Sequence, residues 1–316
     1  MNRDEAAERL RTVRDCIRWG ASRFQEADLY FGHGTDNALD EAAQLVLHSL
    51  HLPHCVPEGY LDTRLTVGEI HGVLSLLERR ITERKPAAYL THEAWFAGLS
   101  FYVDERVLIP RSPIAELISH HFHPWLEREP RRILDLCTGS GCIAVALAHA
   151  FPSAQVDGAD LEPGALEVAQ RNVDEHGLRD RVTIIESDLF DALKGRRYDL
   201  IVSNPPYVPT ASMDRLPQEY HAEPDVALEG GERGLDLVIP LMRDAAEYLR
   251  PHGLLVVEVG EAEQHLTQAL GDVPLTWLEF ENGGGGVFAL TGHQVQDLRE
   301  HFKMVADEAF DATPEG

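Results

Sequence analysis

The stretch ILDLCTGSGCIAVALA, residues 133–148, changes character in its middle. An apolar run carrying one carboxylate, Asp135, reaches Thr138-Gly139-Ser140-Gly141, and an unbroken apolar segment follows. An apolar strand, a glycine turn and an apolar helix, in that order, open a βαβ unit. Glycine lets the chain turn tightly and lets a ligand approach the backbone. The helix start presents free N–H groups and a positive partial charge. Gly139-Ser140-Gly141-Cys142-Ile143-Ala144 nearly matches a dinucleotide fingerprint, which does not name a cofactor.

Strand and helix patterns alternate outward from this turn. Strands are expected at 131–137, 154–160, 181–187, 198–204 and 253–260, with helices at 141–151, 163–176 and 235–250. That alternation predicts an α/β fold with a Rossmann-like, mostly parallel sheet. LTWLEFEN and GVFAL, around Gly283–Gly286, leave little room for a crossover helix, so an antiparallel C-terminal edge is expected. The four glycines read equally as a tight hairpin or as a close backbone approach.

The strand tips carry the chemistry. Asp160 stands 21 residues beyond Gly139, where a carboxylate can accept both ribose hydroxyls of an adenosine. It also suits an N-cap for the helix starting near Pro163. Asp188 sits just past the end of the third strand, where it can accept from an exocyclic amine, with Leu189 beside it to cover a ring; in isolation a surface-loop aspartate would look the same. The fourth strand ends in Asn204-Pro205-Pro206-Tyr207. Asn204 offers a side-chain carbonyl acceptor and Pro205 its backbone C=O. Pro206 fixes its own φ and biases Pro205 toward extended backbone. The result is a rigid acceptor fork for both hydrogens of one planar –NH2 group, with Tyr207 as a flat face against it. An amide nitrogen is a poor nucleophile because its lone pair is delocalised, so placement is the main lever. Glu258, in the apolar fifth strand, either faces the site or bonds a neighbouring loop.

Residues 1–86 predict a helical domain. DEAAERLRTVRDCIRWGASRF reads as one helix, and TDNALDEAAQLVLHSLHL as another, N-capped by Asp36 with Leu39, Ala43, Val46, Leu47 and Leu50 inside. Residues 87–111 read as a β-hairpin linker, 112–292 as the α/β domain and 293–316 as a loose acidic tail. His120, His121 and His123 cluster at an expected helix end, without converging partners for a metal site.

The chain has 316 residues, 44% of them hydrophobic, and a formal net charge of −25. Such acidity opposes wrapping a nucleic-acid backbone, which needs clustered Lys and Arg; it suits a basic partner and reads equally as an aid to solubility alone. Four cysteines without a CxxC pair, a charged N-terminus and no apolar run of about 20 residues point to a reduced, cytoplasmic setting away from membranes.

With the glycine turn, Asp160 and NPPY, the chain resembles the class I S-adenosylmethionine-dependent methyltransferases, and among them the protein glutamine methyltransferases. The resemblance covers nearly the whole chain and extends to VLIPRSPIAELI and EYHAEPDVALEGGERGLDL, residues 219–237. It implies S-adenosylmethionine as cofactor, held by Asp135, Thr138, Gly139, Ser140, Gly141, Asp160, Asp188, Leu189 and Asn204. Family members with tryptophan after the third-strand aspartate pack it on adenine; Leu189 stands there in this chain. The resemblance further implies that Asn204, Pro205, Pro206, Tyr207 and Arg111 take the substrate glutamine, with Asn204, Pro205 and Tyr207 catalytic. One branch of the family, acting on release factors, carries IPRPETE where this chain has IPRSPIAE. The Ser112-Pro113-Ile114 departure resembles the other branch, which methylates a glutamine of large-subunit ribosomal protein three. Two other readings stay open: methylation of an adenine amino group, which is also a planar –NH2, and an assembly factor that binds a nascent ribosomal protein without turnover.

Overall fold

A computed structural model describes residues 3–311. The chain divides into two compact units. One comprises the residues up to Ala94 together with Val103–Glu105 and Pro217–Glu223; the other holds Trp95–Tyr102, Arg106–Leu216 and the chain from Pro224 onward.

The first unit is helical: α1 (Arg3–Arg9), α2 (Val13–Glu26), α3 (Ala38–Ser49), α4 (Val67–Glu83) and α5 (Ala87–Thr91). The expected first helix is split at Thr12. Its hydroxyl accepts from Asp15 N at 3.1 Å and the Asp15 carboxylate accepts from Thr12 N at 3.0 Å, a reciprocal cap that starts α2 afresh. The cap of α3 is Asn37 rather than Asp36, accepting from Leu39 N and Asp40 N at 3.0 Å. Leu39 falls on the outer face, 56% exposed, while Ala38, Ala42, Leu45 and Val46 face inward. Helices α2, α3 and α4 share one core. At Gly20 a Cβ would meet Leu77 Cδ1 at 3.0 Å and Ala42 Cβ at 3.3 Å, so glycine permits their close approach.

Arg80, fully buried in α4, is the centre of this unit's polar core. Its Nε donates to Glu41 at 2.6 Å, one terminal nitrogen donates to Glu219 at 3.3 Å and the other to the Tyr30 carbonyl at 2.9 Å. Arg84 reaches the same Glu219 at 3.1 Å. A buried cation needs such partners, because leaving it unpaired is strongly unfavourable.

The hairpin of strands β1 (Ala94–Phe96) and β2 (Leu99–Phe101) is shorter than the expected 87–111. Its loop residues, Ala97 and Gly98, have φ of 49° and 77°, the conformation that a two-residue turn demands. Next come α6 (Ile114–Ser119), β3 (Arg132–Leu136), α7 (Cys142–Ala150), β4 (Gln155–Asp160), α8 (Pro163–Glu175), β5 (Val182–Glu186) and β6 (Tyr198–Ser203). After them run α9 (Thr210–Met213), α10 (Val238–Tyr248), β7 (Leu249–Glu258), α11 (Glu263–Leu270), β8 (Thr276–Trp277), β9 (Val287–Thr291), α12 (Gly292–Asp297) and α13 (Arg299–Asp311).

Seven strands form one sheet in the order β5-β4-β3-β6-β7-β9-β8. The first five are parallel; β9 runs antiparallel to β7 and β8 antiparallel to β9. Both faces are covered. Leu134, Leu136, Ile201 and Leu255 face one core, and Ile133, Leu200, Val202 and Leu254 the other. Period-2 alternation with apolar residues on both sides explains why these strands read as continuous apolar runs.

The expected acidic tail is a helix instead. In α13, Phe302, Val305 and Ala306 recur at i, i+3 and i+4 and are buried in the sheet's core. Residues 312–316 of that expected tail lie outside the described residues. Within Gly283–Gly286 the close backbone approach is at Gly286: a Cβ there would lie 2.3 Å from Gly260 O, and Val259 N donates to Gly286 O at 2.7 Å. No described helix is long and apolar enough to cross a membrane.

Candidate active site

Parallel order puts the C-terminal ends of β3, β4, β5 and β6 along one edge, and the strand order reverses beside β3. Crevices at such switch points bind ligands. Register aligns the tips, with Leu136 beside Ala159 on one side and Ser203 on the other.

The turn after β3 is held from beneath. Asp135 is fully buried, and one of its oxygens accepts from Thr138 Oγ1 at 2.5 Å and from Ala144 N, in the first turn of α7, at 3.0 Å. Burial pushes its carboxyl up to about 7. Gly139 and Gly141 both take positive φ, 54° and 77°. A Cβ at Gly141 would press on Ala169 of α8 at 3.1 Å, whereas a Cβ at Gly139 would meet nothing within 4 Å. Gly141 thus serves helix packing, and Gly139 leaves its backbone open to the cleft.

Asp160 closes the turn from β4. Its Oδ2 accepts from Gly139 N at 2.8 Å and its Oδ1 from Glu162 N at 3.0 Å. Glu162 occupies the cap position of α8 without a side-chain cap bond, so Asp160 braces the glycine turn rather than capping that helix. Burial raises its carboxyl and the backbone donors oppose the rise.

One cleft is lined by Arg111, Thr138, Gly139, Ser140, Asp160, Asp188, Leu189, Asn204 and Pro206. Asp135, Gly141, Pro205 and Tyr207 are off this lining. Asp135 acts from below the turn and Pro205 is buried. Cys137 and Cys142 also line the cleft; burial raises both thiols, Cys142 to about 12, so they stay protonated. Arg106, Leu108, Pro110, Val226 and Ala227 are also part of the wall. They come from before β3 and after β6, where no strand-tip pattern marks them.

Asn204 is half-buried at the tip of β6. Among the described residues, none exchanges a hydrogen bond with its side-chain amide. The turn beyond it is enclosed by 227–237: Val208 N donates to Leu228 O at 2.8 Å and Gly230 N to Val208 O at 2.9 Å. A Cβ on Gly230 would lie 2.6 Å from Pro206 O, and one on Gly234 only 2.1 Å from Tyr207 O. Gly230 and Gly234 of EGGERG are therefore spaces left for the NPPY backbone. Tyr207 turns its hydroxyl to Glu258, donating at 3.1 Å, and its ring lies against Gly260.

The His120–His123 run forms the turn after α6, and His120 lines a second, open cleft with Arg111, Ser112, Pro113, Glu116 and Gly284.

Residues 116–220 match the family described as "Methyltransferase small domain". The chain is 56% identical over 306 residues to "Ribosomal protein uL3 glutamine methyltransferase" of Xanthomonas campestris pv. campestris, covering 96% of this chain and 98% of that protein. The protein of the same name from Xylella fastidiosa is 54% identical over 302 residues, covering 95% of this chain and 96% of its own. By that identity, over nearly its whole length, this chain belongs to the ribosomal protein uL3 glutamine methyltransferases.

Proposed function

We propose that this chain, in the cytoplasm, transfers a methyl group from S-adenosylmethionine to the side-chain amide nitrogen of a glutamine in ribosomal protein uL3. The observation that carries the reading is the uncommitted Asn204 amide, set at a strand tip in the cleft that the open Gly139 backbone and Asp160 also line. The cleft fits the cofactor. Space at Gly139 lets a ligand reach the backbone, and the α7 N-terminus favours a carboxylate there. Asp160 keeps lone pairs for ribose hydroxyls, while Asp188 and Leu189 would take the adenine.

When bound, S-adenosylmethionine supplies a methyl group already activated on a sulfonium. The chain's own task is to hold the amide. Asn204 Oδ1 and the Pro205 carbonyl would accept its two N–H bonds, fixing the nitrogen's orientation and favouring the positive charge that develops there as the N–C bond forms and the C–S bond breaks, the surplus proton passing to water. Pro206 keeps that fork rigid, Tyr207 would pack on the amide plane, and Arg111 would meet the substrate beside it. The net charge of −25 attracts a basic ribosomal protein and repels RNA, which favours modification before or early in assembly.

A tritiated-methyl transfer assay offering uL3, release factors and DNA separates the substrates. Label confined to uL3, lost on changing one glutamine, is the expected result. Label only in release factor or only in DNA would overturn the reading.

A further inference from the structure

Glu258 ends β7 with a carboxylate that is 5% exposed. Its two oxygens have different partners: Oε2 accepts from Ser112 Oγ at 2.5 Å and Oε1 from the Tyr207 hydroxyl at 3.1 Å. Ser112 is itself buried, and its Oγ accepts from Ile114 N at 3.1 Å. That leaves the single hydroxyl hydrogen of Ser112 to point at Glu258. Across the ring, a Cβ on Gly260 would come within 2.4 Å of Tyr207 Cε2. Tyr207 is thus held by its hydroxyl and along one edge, while Pro206 limits the backbone that joins it to Asn204. Ser112 lines both the cofactor-side cleft and the open cleft beside it, so the tie lies where the two meet.

We propose that Ser112 is a positioning residue for glutamine methylation, acting through Glu258 to fix Tyr207 and with it the NPPY turn. The inference rests on the proposed function. It also gives the Ser112 departure a physical content. The release-factor pattern IPRPETE has proline at this place, and proline has no hydroxyl to donate to a carboxylate on β7. The Ser112–Glu258–Tyr207 chain of hydrogen bonds is therefore a device that this sequence can form and that pattern cannot.

The test compares wild type with Ser112→Ala, Ser112→Thr and Glu258→Gln on uL3, measuring kcat, KM, S-adenosylmethionine affinity by calorimetry, and melting temperature. Loss of a fixed geometry without loss of a binding contact should lower kcat of Ser112→Ala on the order of 10- to 100-fold. KM and cofactor affinity should stay within about twofold, because the Ser112 hydroxyl is committed to Glu258 rather than to a ligand. Ser112→Thr, which keeps the hydroxyl, should recover most of kcat, and Glu258→Gln should resemble Ser112→Ala. Equal kcat in Ser112→Ala and wild type would overturn the inference alone. So would a parallel loss of kcat, cofactor affinity and melting temperature that threonine does not restore. A wild-type enzyme that leaves uL3 unlabelled would overturn the proposed function and this inference with it.

Discussion

The Asp160 carboxylate accepts the backbone N–H of Gly139 at 2.8 Å, so the second strand tip of the catalytic sheet fixes the turn that follows the first. One side chain thereby supports the backbone of the cleft and, in the proposed reading, would offer its remaining lone pairs to a ligand. Asp160→Ala removes both. Hydrogen bonds to a charged acceptor contribute about 1.5–3 kcal/mol, so S-adenosylmethionine affinity should fall roughly 10- to 100-fold. Calorimetric titration of the variant checks this; affinity within threefold of wild type would exclude a ribose-holding role.

Asn204 has a different signature. Its amide makes no hydrogen bond within the described residues, so replacing it leaves no partner stranded. Asn204→Ala should cut turnover on uL3 by about 10²- to 10³-fold, the usual effect of deleting one polar group that acts on the reacting centre. Cofactor affinity and melting temperature should change little. Single-turnover methylation alongside calorimetry decides it, and near wild-type turnover would end the acceptor-fork account.

Arg80 is a stability residue, not a catalytic one. Its guanidinium donates to Glu41, Glu219 and the Tyr30 carbonyl in a site without exposure. Arg80→Ala leaves the buried Glu41 without its cation and Glu219 with Arg84 alone, and should cost about 3–5 kcal/mol. Urea denaturation followed by circular dichroism would register the loss as a lower midpoint.

Stability should also depend on pH in a defined direction. Burial raises the carboxyls of Asp135 and Glu258 to about 7, from ordinary values of 3.8 and 4.5. The folded state then holds protons that the unfolded chain has released. Each group's stabilisation is complete below its unfolded pKa and is lost as pH rises through about 7. Each contributes a slope of up to about 1.4 kcal/mol per pH unit in that window. Glu258→Gln should flatten the fall in melting temperature between about pH 5 and 7 by its share; an unchanged slope would contradict the raised carboxyl.

The sheet was legible because its strands are buried on both faces, which leaves apolar runs punctuated by Gly, Asp and Pro. Asp160, Asp188 and Asn204 stood out because each ends such a run, and the cleft brings them together. The direction of Asp135 was not legible: a carboxylate at a strand tip reads the same whether it faces a ligand or, as here, the N–H of Ala144. Leu39 was misplaced because it shares its spacing with Ala43, whereas the packed face of α3 is centred on Ala38, Ala42 and Leu45, one residue or about 100° away. The tail misled through its charge, while its apolar residues at helical spacing were few. Ser112 and Glu258 are 146 residues apart, and only folding makes them partners.

The short return of Pro217–Glu223 to the helical unit matters for how this protein can be taken apart. Glu219, on that return, belongs to the electrostatics of α4, although the chain reaches it only after the NPPY turn. The helical unit is not a portable module. Grafting it between relatives means carrying two separated pieces of sequence, and a cut after Ala94 would leave Arg80 and Arg84 without a shared carboxylate.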